Sequence, residues 1–320
     1  PRQDHQLGPD AIPHELASHG LVQRHRRGVI GVAHDHQKRR LLTTDAIDGR
    51  GGPHNLRVSG TRPQEPVQHL RHTGVGADGL VLVLPSRTAN FRMRIINPDG
   101  SEAEMCGNAT RTFGKYVFDR KMHTDPVLSI ETLGGTKIVK LNAAGGKVQT
   151  ARVDMGEPKL LRSEIPMKGE NTQVIGEPLK VAGRKMEITC VSMGNPHCVT
   201  FVDNVESFPV ENIGPKIETH PSFPQRTNVE FVEVIDKTQT RQRTWERGAG
   251  ETLACGTGSC ASVVAGVLTG RLNRKVTVHL TGGDLLIEWM GDNHLYMTGP
   301  ATEVFEGEIS DDTIKGWMKS

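Results

Sequence analysis

Aromatic side chains are scarce in this sequence, at 4% of 320 residues, and the first of them is Phe91. Residues 1–72 contain no Phe, Tyr, Trp, Met or Cys at all, yet hold nine of the fourteen histidines. Such a stretch can supply little apolar area to a core, and its pattern shows little strand texture. An excess of one charge is also missing, with 39 Lys and Arg against 37 Asp and Glu for a formal charge of +2. That balance gives no electrostatic case for nucleic acid or an anionic membrane as partner, and leaves a small molecule. No apolar run approaches the ~18–20 residues of a membrane-spanning helix, and no secretory apolar region opens the chain. An unanchored, cytoplasmic protein is expected; residues 1–72 are too acidic for a typical transit peptide, and the plastid stroma would apply only in a plastid-bearing organism. The five cysteines are odd in number and lack C-x2-C spacing, which argues against a disulfide framework and a zinc site alike. Reduced thiols and no metal are expected.

What is present has the texture of a folded two-domain protein from Thr73 onward, at the usual ~150 residues per domain. Short alternating runs such as FRMRII, VEFVEVI and RQRTWE, separated by Gly, Pro, Asn and Asp, predict strands. Two helical patterns stand out, from Asn108 to about Phe118 and from Thr257 to about Leu268, the second closed by Gly270. Two helices among many strands predict an α+β fold in which sheet wraps each helix.

The two helices open alike. EMCGNATRTFGKYV starts at Glu104 and LACGTGSCASVVAGV at Leu253, so Cys106 and Cys255 lie 149 residues apart, each followed by Gly and then by Asn108 or Thr257. The same offset sets Asn97 opposite Glu246, Glu102 on Glu251 and Gly107 on Gly256, while VDMGEP and LYMTGP recur 142 residues apart. The chain therefore reads as two copies of one unit, with function expected at the seam. A cysteine at a helix N-terminus has its thiolate stabilised by the macrodipole and free N–H groups, so its pKa is expected to fall from about 8.5 toward 7. Two such thiols on opposite faces of one carbon suit stereoinversion: one removes an α-proton while the other returns a proton. Cys190, Cys198 and Cys260 lie outside such settings and are expected to be small core residues.

Five blocks in order, TGVGADGL (73–80), NPDGSEAEMCGN (97–108), SMGNPHCV (192–199), RTNVEFVEV (226–234) and WERGAGETLACGTGSCA (245–261), resemble diaminopimelate epimerase. The resemblance runs from about Thr73 to Ile309. It implies two pseudo-symmetric α/β domains, each a curled, mostly antiparallel sheet around a central helix. It also implies conversion of LL-2,6-diaminopimelate to the meso form without pyridoxal phosphate, other cofactor or metal. Cys106 and Cys255 match the family's acid/base pair, and His197 and Glu246 match positions that tune the thiols. Asn97, Asn195, Asn228, Glu246 and Arg247 match substrate-binding residues, with Gly107, Asn108, Gly256 and Thr257 contributing at the helix mouths. Arg247 could grip a carboxylate with a bidentate fork. The glycines of TGVGADGL read as turn residues, because the spacing is not that of a nucleotide loop. A proline-type racemase is the nearest alternative, and a homodimer is left open.

The domain division expected is an atypical segment at 1–72, a half carrying Cys106 at 73–158, whose last strands may be exchanged with the other half, and a half carrying Cys255 at 159–320. The family opens on a His-x-Leu-Gly-Asn-Asp-Phe-type loop, whereas HQLGPDAI (5–12) has Pro9 in place of the Asn and Ala11 in place of the aromatic. That departure predicts a catalytically weakened relative with an unpaired sheet edge in its first half.

Overall fold

The computed structural model describes residues 29–35, 38–44, 79–97 and 100–303. Pro9, Ala11 and most of the TGVGADGL block fall outside the described residues. From the N-terminus the elements are β1 (Val29–Asp35), β2 (Lys38–Thr44), β3 (Gly79–Leu84), β4 (Phe91–Ile96), β5 (Glu102–Ala103) and α1 (Gly107–Asp119). Next come β6 (Val127–Thr132), β7 (Gly135–Ala144), β8 (Lys147–Gly156), β9 (Glu177–Val181), β10 (Arg184–Ser192), β11 (Pro196–Phe201) and α2 (Val210–Glu218). The chain continues through β12 (Asn228–Asp236), β13 (Gln239–Glu246), β14 (Gly250–Thr252), α3 (Gly256–Leu268), β15 (Lys275–Leu280), β16 (Gly283–Trp289) and β17 (Leu295–Pro300).

The strand pairings make the duplication physical. β4 runs antiparallel to β3 and parallel to β6, which continues antiparallel through β7 to β8. β13 likewise runs antiparallel to β12 and parallel to β15, which continues through β16 to β17. The two series meet where β8 pairs with β17. Even the short strands repeat in register: Ile96 faces Glu102 and Ile95 faces Ala103, as Trp245 faces Glu251 and Thr244 faces Thr252. A parallel pair needs a crossover, and α1 and α3 supply it in the two copies.

Both helices are core elements. In α3 every residue from Gly258 to Gly266 is buried, as befits a helix apolar on all sides with sheet around it. In α1 the buried set includes Phe113, Tyr116 and Val117. Strands β10–β12 are buried on both faces: Val191, Val199 and Val232 join the core around the two central helices. Cys190, Cys198, Val229 and Phe231 join a second cluster with Val210, Ile213 and Ile217 of α2.

Two expectations are corrected here. Strands do occur within residues 1–72: β1 and β2 form a hairpin, and Val29–Val32 of β1 pair with Gly79–Leu82 of β3. β3 is therefore paired on both sides and is not an open edge; VIGVAHD and KRRLLTT are too irregular in their alternation to show this as sequence. Helix α2 is a third helix, hidden in the sequence by Pro215 within it.

Candidate active site

Cys106 and Cys255 are the N-cap residues of α1 and α3, with matching extended backbones (φ −141°, ψ 120° and φ −127°, ψ 110°). Each cysteine carbonyl accepts twice from the residue four positions on. Thr110 donates its N–H (2.9 Å) and hydroxyl (2.8 Å) to Cys106, and Ser259 does the same to Cys255 (2.9 and 3.0 Å). With the carbonyl tied down, the first-turn N–H groups stay directed at the side chain: those of Asn108 and Ala109 at the Cys106 sulfur, that of Gly258 at Cys255.

The glycine after each cysteine is required by a close approach. A Cβ on Gly107 would lie 2.5 Å from Met297 Cε and 3.4 Å from Met155 Cε, and one on Gly256 would lie 2.9 Å from Met297 Sδ. Both helix mouths thus rest on one methionine of β17, at the seam where β8 and β17 join the two copies. Glu246 reaches both thiols electrically, pushing each toward its neutral form. It accepts a 2.5 Å hydrogen bond from Thr252. Burial pushes its own carboxyl up, with Thr252 and the His197 ring opposing.

The expected fall in thiol pKa is not observed. Burial raises Cys106, although the N–H groups of Ala109 and Asn108 pull the other way, and burial raises Cys255 well above the usual thiol range, helped by Glu246 and Glu230. Desolvation outweighs the helix terminus here, and the charge of Glu246 adds to it at both sulfurs. Cys190, Cys198 and Cys260 are buried, as expected, and all five cysteines are free. Cys260 is pushed up to about 12 by burial.

Asn195, Thr257 and Cys255 form one hydrogen-bonded line. Asn195 Nδ2 donates to Thr257 Oγ1 at 3.3 Å, and Thr257 Oγ1 is 3.5 Å from Cys255 Sγ. His197 is fully buried behind them, with Nε2 3.0 Å from Asn195 Oδ1 and Nδ1 2.8 Å from Glu230 Oε1. Asn228 is buried and braces the wall, donating to the Pro196 carbonyl (2.8 Å) and accepting from the Arg247 N–H (2.9 Å). The exposed Arg247 guanidinium donates to the Gln225 carbonyl at 3.1 Å. Asn97 holds its own turn, donating from Nδ2 to Ser101 Oγ at 3.0 Å. In α1, Asn108 Oδ1 accepts from the buried Arg111 at 2.8 Å.

The diaminopimelate epimerase family model matches residues 58–161 and 189–304. The chain belongs to the diaminopimelate epimerase family. It is 58% identical over 240 residues to the diaminopimelate epimerase of Acetivibrio thermocellus, an alignment covering 75% of this chain and 86% of that protein. It is 59% identical over 238 residues to that of Pelotomaculum thermopropionicum (74% and 85% covered) and 58% over 240 residues to that of Methanococcus maripaludis (75% and 87%). Among solved structures it resembles a probable proline racemase from Agrobacterium radiobacter (TM-score 0.61, 13% identity, 91% of this chain and 95% of that one). A hydroxyproline epimerase from Agrobacterium vitis is similar too (TM-score 0.58, 14% identity, 88% and 91%). At these identities the structures speak for the fold alone, which is the α+β epimerase fold.

This family member also carries residues that pattern reading passes over. Arg94 grips Glu102 through Nε and Nη2 (2.9 and 2.8 Å), and Arg243 grips Glu251 through the same two atoms (2.6 and 2.9 Å). The 149-residue offset that aligns the cysteines aligns these forks as well, and would have revealed both arginines. Glu230, with a fully buried side chain, sits inside the quoted block RTNVEFVEV, where strand alternation gives an acidic residue no distinction.

Proposed function

We propose that Cys106 and Cys255 are the acid/base pair with which this isomerase interconverts LL- and meso-diaminopimelate. The supporting observation is the convergence of two equivalent Cys-Gly helix mouths on Met297, with Glu246 in electrical reach of both sulfurs. One thiolate takes the α-proton as the carbanion-like charge builds, and the opposite thiol delivers its own proton to the other face. Each direction of reaction uses one sulfur as base and the other as acid.

Thiol pKa values raised in the free protein suit this chemistry. A sulfur that is hard to ionise is a stronger base once ionised, and the substrate's ammonium brings the positive charge that favours the thiolate. Helix N–H groups at Gly107, Asn108, Gly256 and Thr257 are suited to a carboxylate of the bound amino acid. Asn97, Asn195, Asn228 and Arg247 are proposed as its further amide and guanidinium partners, and Glu246 as the group that receives the ammonium. Proton transfer of this kind draws on no cofactor, and two free thiols that must stay reduced to carry protons fit a reducing, cytoplasmic setting. The chain is proposed to divide near residue 158 into two catalytic halves, with residues 1–72 leading into the first.

The test is deuterium wash-in. In deuterated buffer the purified protein should introduce deuterium at the α-carbon of diaminopimelate while equilibrating the LL and meso forms. An absence of both exchange and epimerisation would refute the assignment.

A further inference from the structure

Glu230 stands behind the site without a role in the proton transfer described above. Its side chain is fully buried on β12, Oε1 meets His197 Nδ1 at 2.8 Å, and Oε2 is buried with no hydrogen-bond partner. Helix α3 is shaped to admit it: a Cβ on Gly258 would lie 2.5 Å from Glu230 Oε1. A buried carboxylate is costly unless something uses it.

The hydrogen bonds leading from it have one direction. Asn195 donates from Nδ2 to Thr257, so Oδ1 is the end that faces His197, and an amide oxygen only accepts. His197 Nε2 is therefore the donor to Asn195, and Nδ1 faces Glu230 Oε1. Thr257 Oγ1 accepts from Asn195, which leaves its own hydrogen for the Cys255 sulfur, 3.5 Å away. We infer that Glu230 is a positioning residue for Cys255: by pinning the His197 ring it fixes a chain of donors, His197 to Asn195 to Thr257, that presents the Thr257 hydroxyl hydrogen to the sulfur. The inference rests on Cys255 acting as a base, and adds the device that sets how readily it ionises.

Charged and titratable groups facing Cys255 are Glu246 from β13 and Glu230 from β12, with His197 of β11 behind Asn195. Glu230 can act on the sulfur through the chain or directly through its charge, and Glu230→Asp separates the two, since it keeps the charge and withdraws the carboxylate from Nδ1. The readout is iodoacetamide alkylation of Cys255 in the substrate-free protein, followed by peptide mass spectrometry across a pH series. Thr257→Val removes the last donor and should slow alkylation about tenfold at fixed pH below the midpoint, with Glu230→Asp slowing it about three- to tenfold. Because both act on one chain, Glu230→Asp should add nothing in a Thr257→Val background. An unchanged midpoint in Glu230→Asp, or the same shift with and without Thr257, overturns the chain. Should Glu230→Asp fail to fold, Asn195→Ala cuts the chain at a half-exposed position and must match Thr257→Val; an unchanged midpoint there overturns it equally. Failure of the catalytic assignment would show separately, as Cys255→Ala with full turnover.

Discussion

Gly107→Ala tests whether the close approach of the two helix mouths to Met297 is what places the Cys106 and Cys255 sulfurs. The added Cβ would meet Met297 Cε at 2.5 Å, whereas carbon atoms settle at about 3.5–4.0 Å. About 1 Å must be found by the methionine or by the helix. A methionine tip is flexible, which puts the overpacking penalty near the low end of the usual ~1–3 kcal/mol, and alanine regains up to ~1 kcal/mol of helix propensity. Stability should therefore change by no more than about 1–2 kcal/mol in a urea melt. Activity should suffer more, because Cys106 is the adjacent residue and Met297 also supports Gly256, whose own Cβ position lies 2.9 Å from Met297 Sδ. A misplacement of ~1 Å at the reacting atoms costs on the order of 10²-fold. Epimerisation followed by chiral chromatography should show that loss with little change in the melt. Met297→Ala in the same chain should recover part of the turnover, although the cavity it leaves costs ~2–5 kcal/mol of stability. Wild-type turnover in Gly107→Ala would refute the steric argument.

Cys106→Ser and Cys255→Ser should each abolish epimerisation in both directions, while deuterium wash-in persists on one face; near-normal turnover in either would sink the two-base mechanism. Burial holds Cys260 at about 12 in the folded protein, so its contribution to stability is complete below the unfolded thiol value of about 8.5 and is lost as pH rises toward the folded one. Urea midpoints should accordingly fall above pH ~8.5, and Cys260→Ala should flatten that fall. Arg243→Lys should lose the bidentate grip on Glu251 and the bonds to the Val205, Glu206 and Phe208 carbonyls, destabilising by roughly 1–2 kcal/mol after discounting for partial exposure. Arg94→Lys, whose fork lacks those carbonyl partners among the described residues, should cost less in the same melt.

Much of the site is a local matter and was legible as sequence. Cys-Gly followed by a small polar residue states a helix mouth, because an extended N-cap and a glycine that admits a close neighbour are requirements of a few consecutive residues. The 149-residue repeat followed from the same residues, and strand alternation located β4, β12 and β13. Other features depend on groups distant in the chain. Which atom the glycines make room for was settled by Met297, brought beneath both helices where β8 meets β17. The direction of the thiol shifts turned on burial and on Glu246 and Glu230, since desolvation is a property of the assembled pocket and a helix terminus is only one contribution to it. Asn228 and His197 reached their partners across adjacent strands, and the pairing of β1 with β3 came from register between segments 50 residues apart. Sequence carries the local conformations and the repeat; the dielectric around a buried sulfur, and the partners of a buried carboxylate, exist only once the strands are in register.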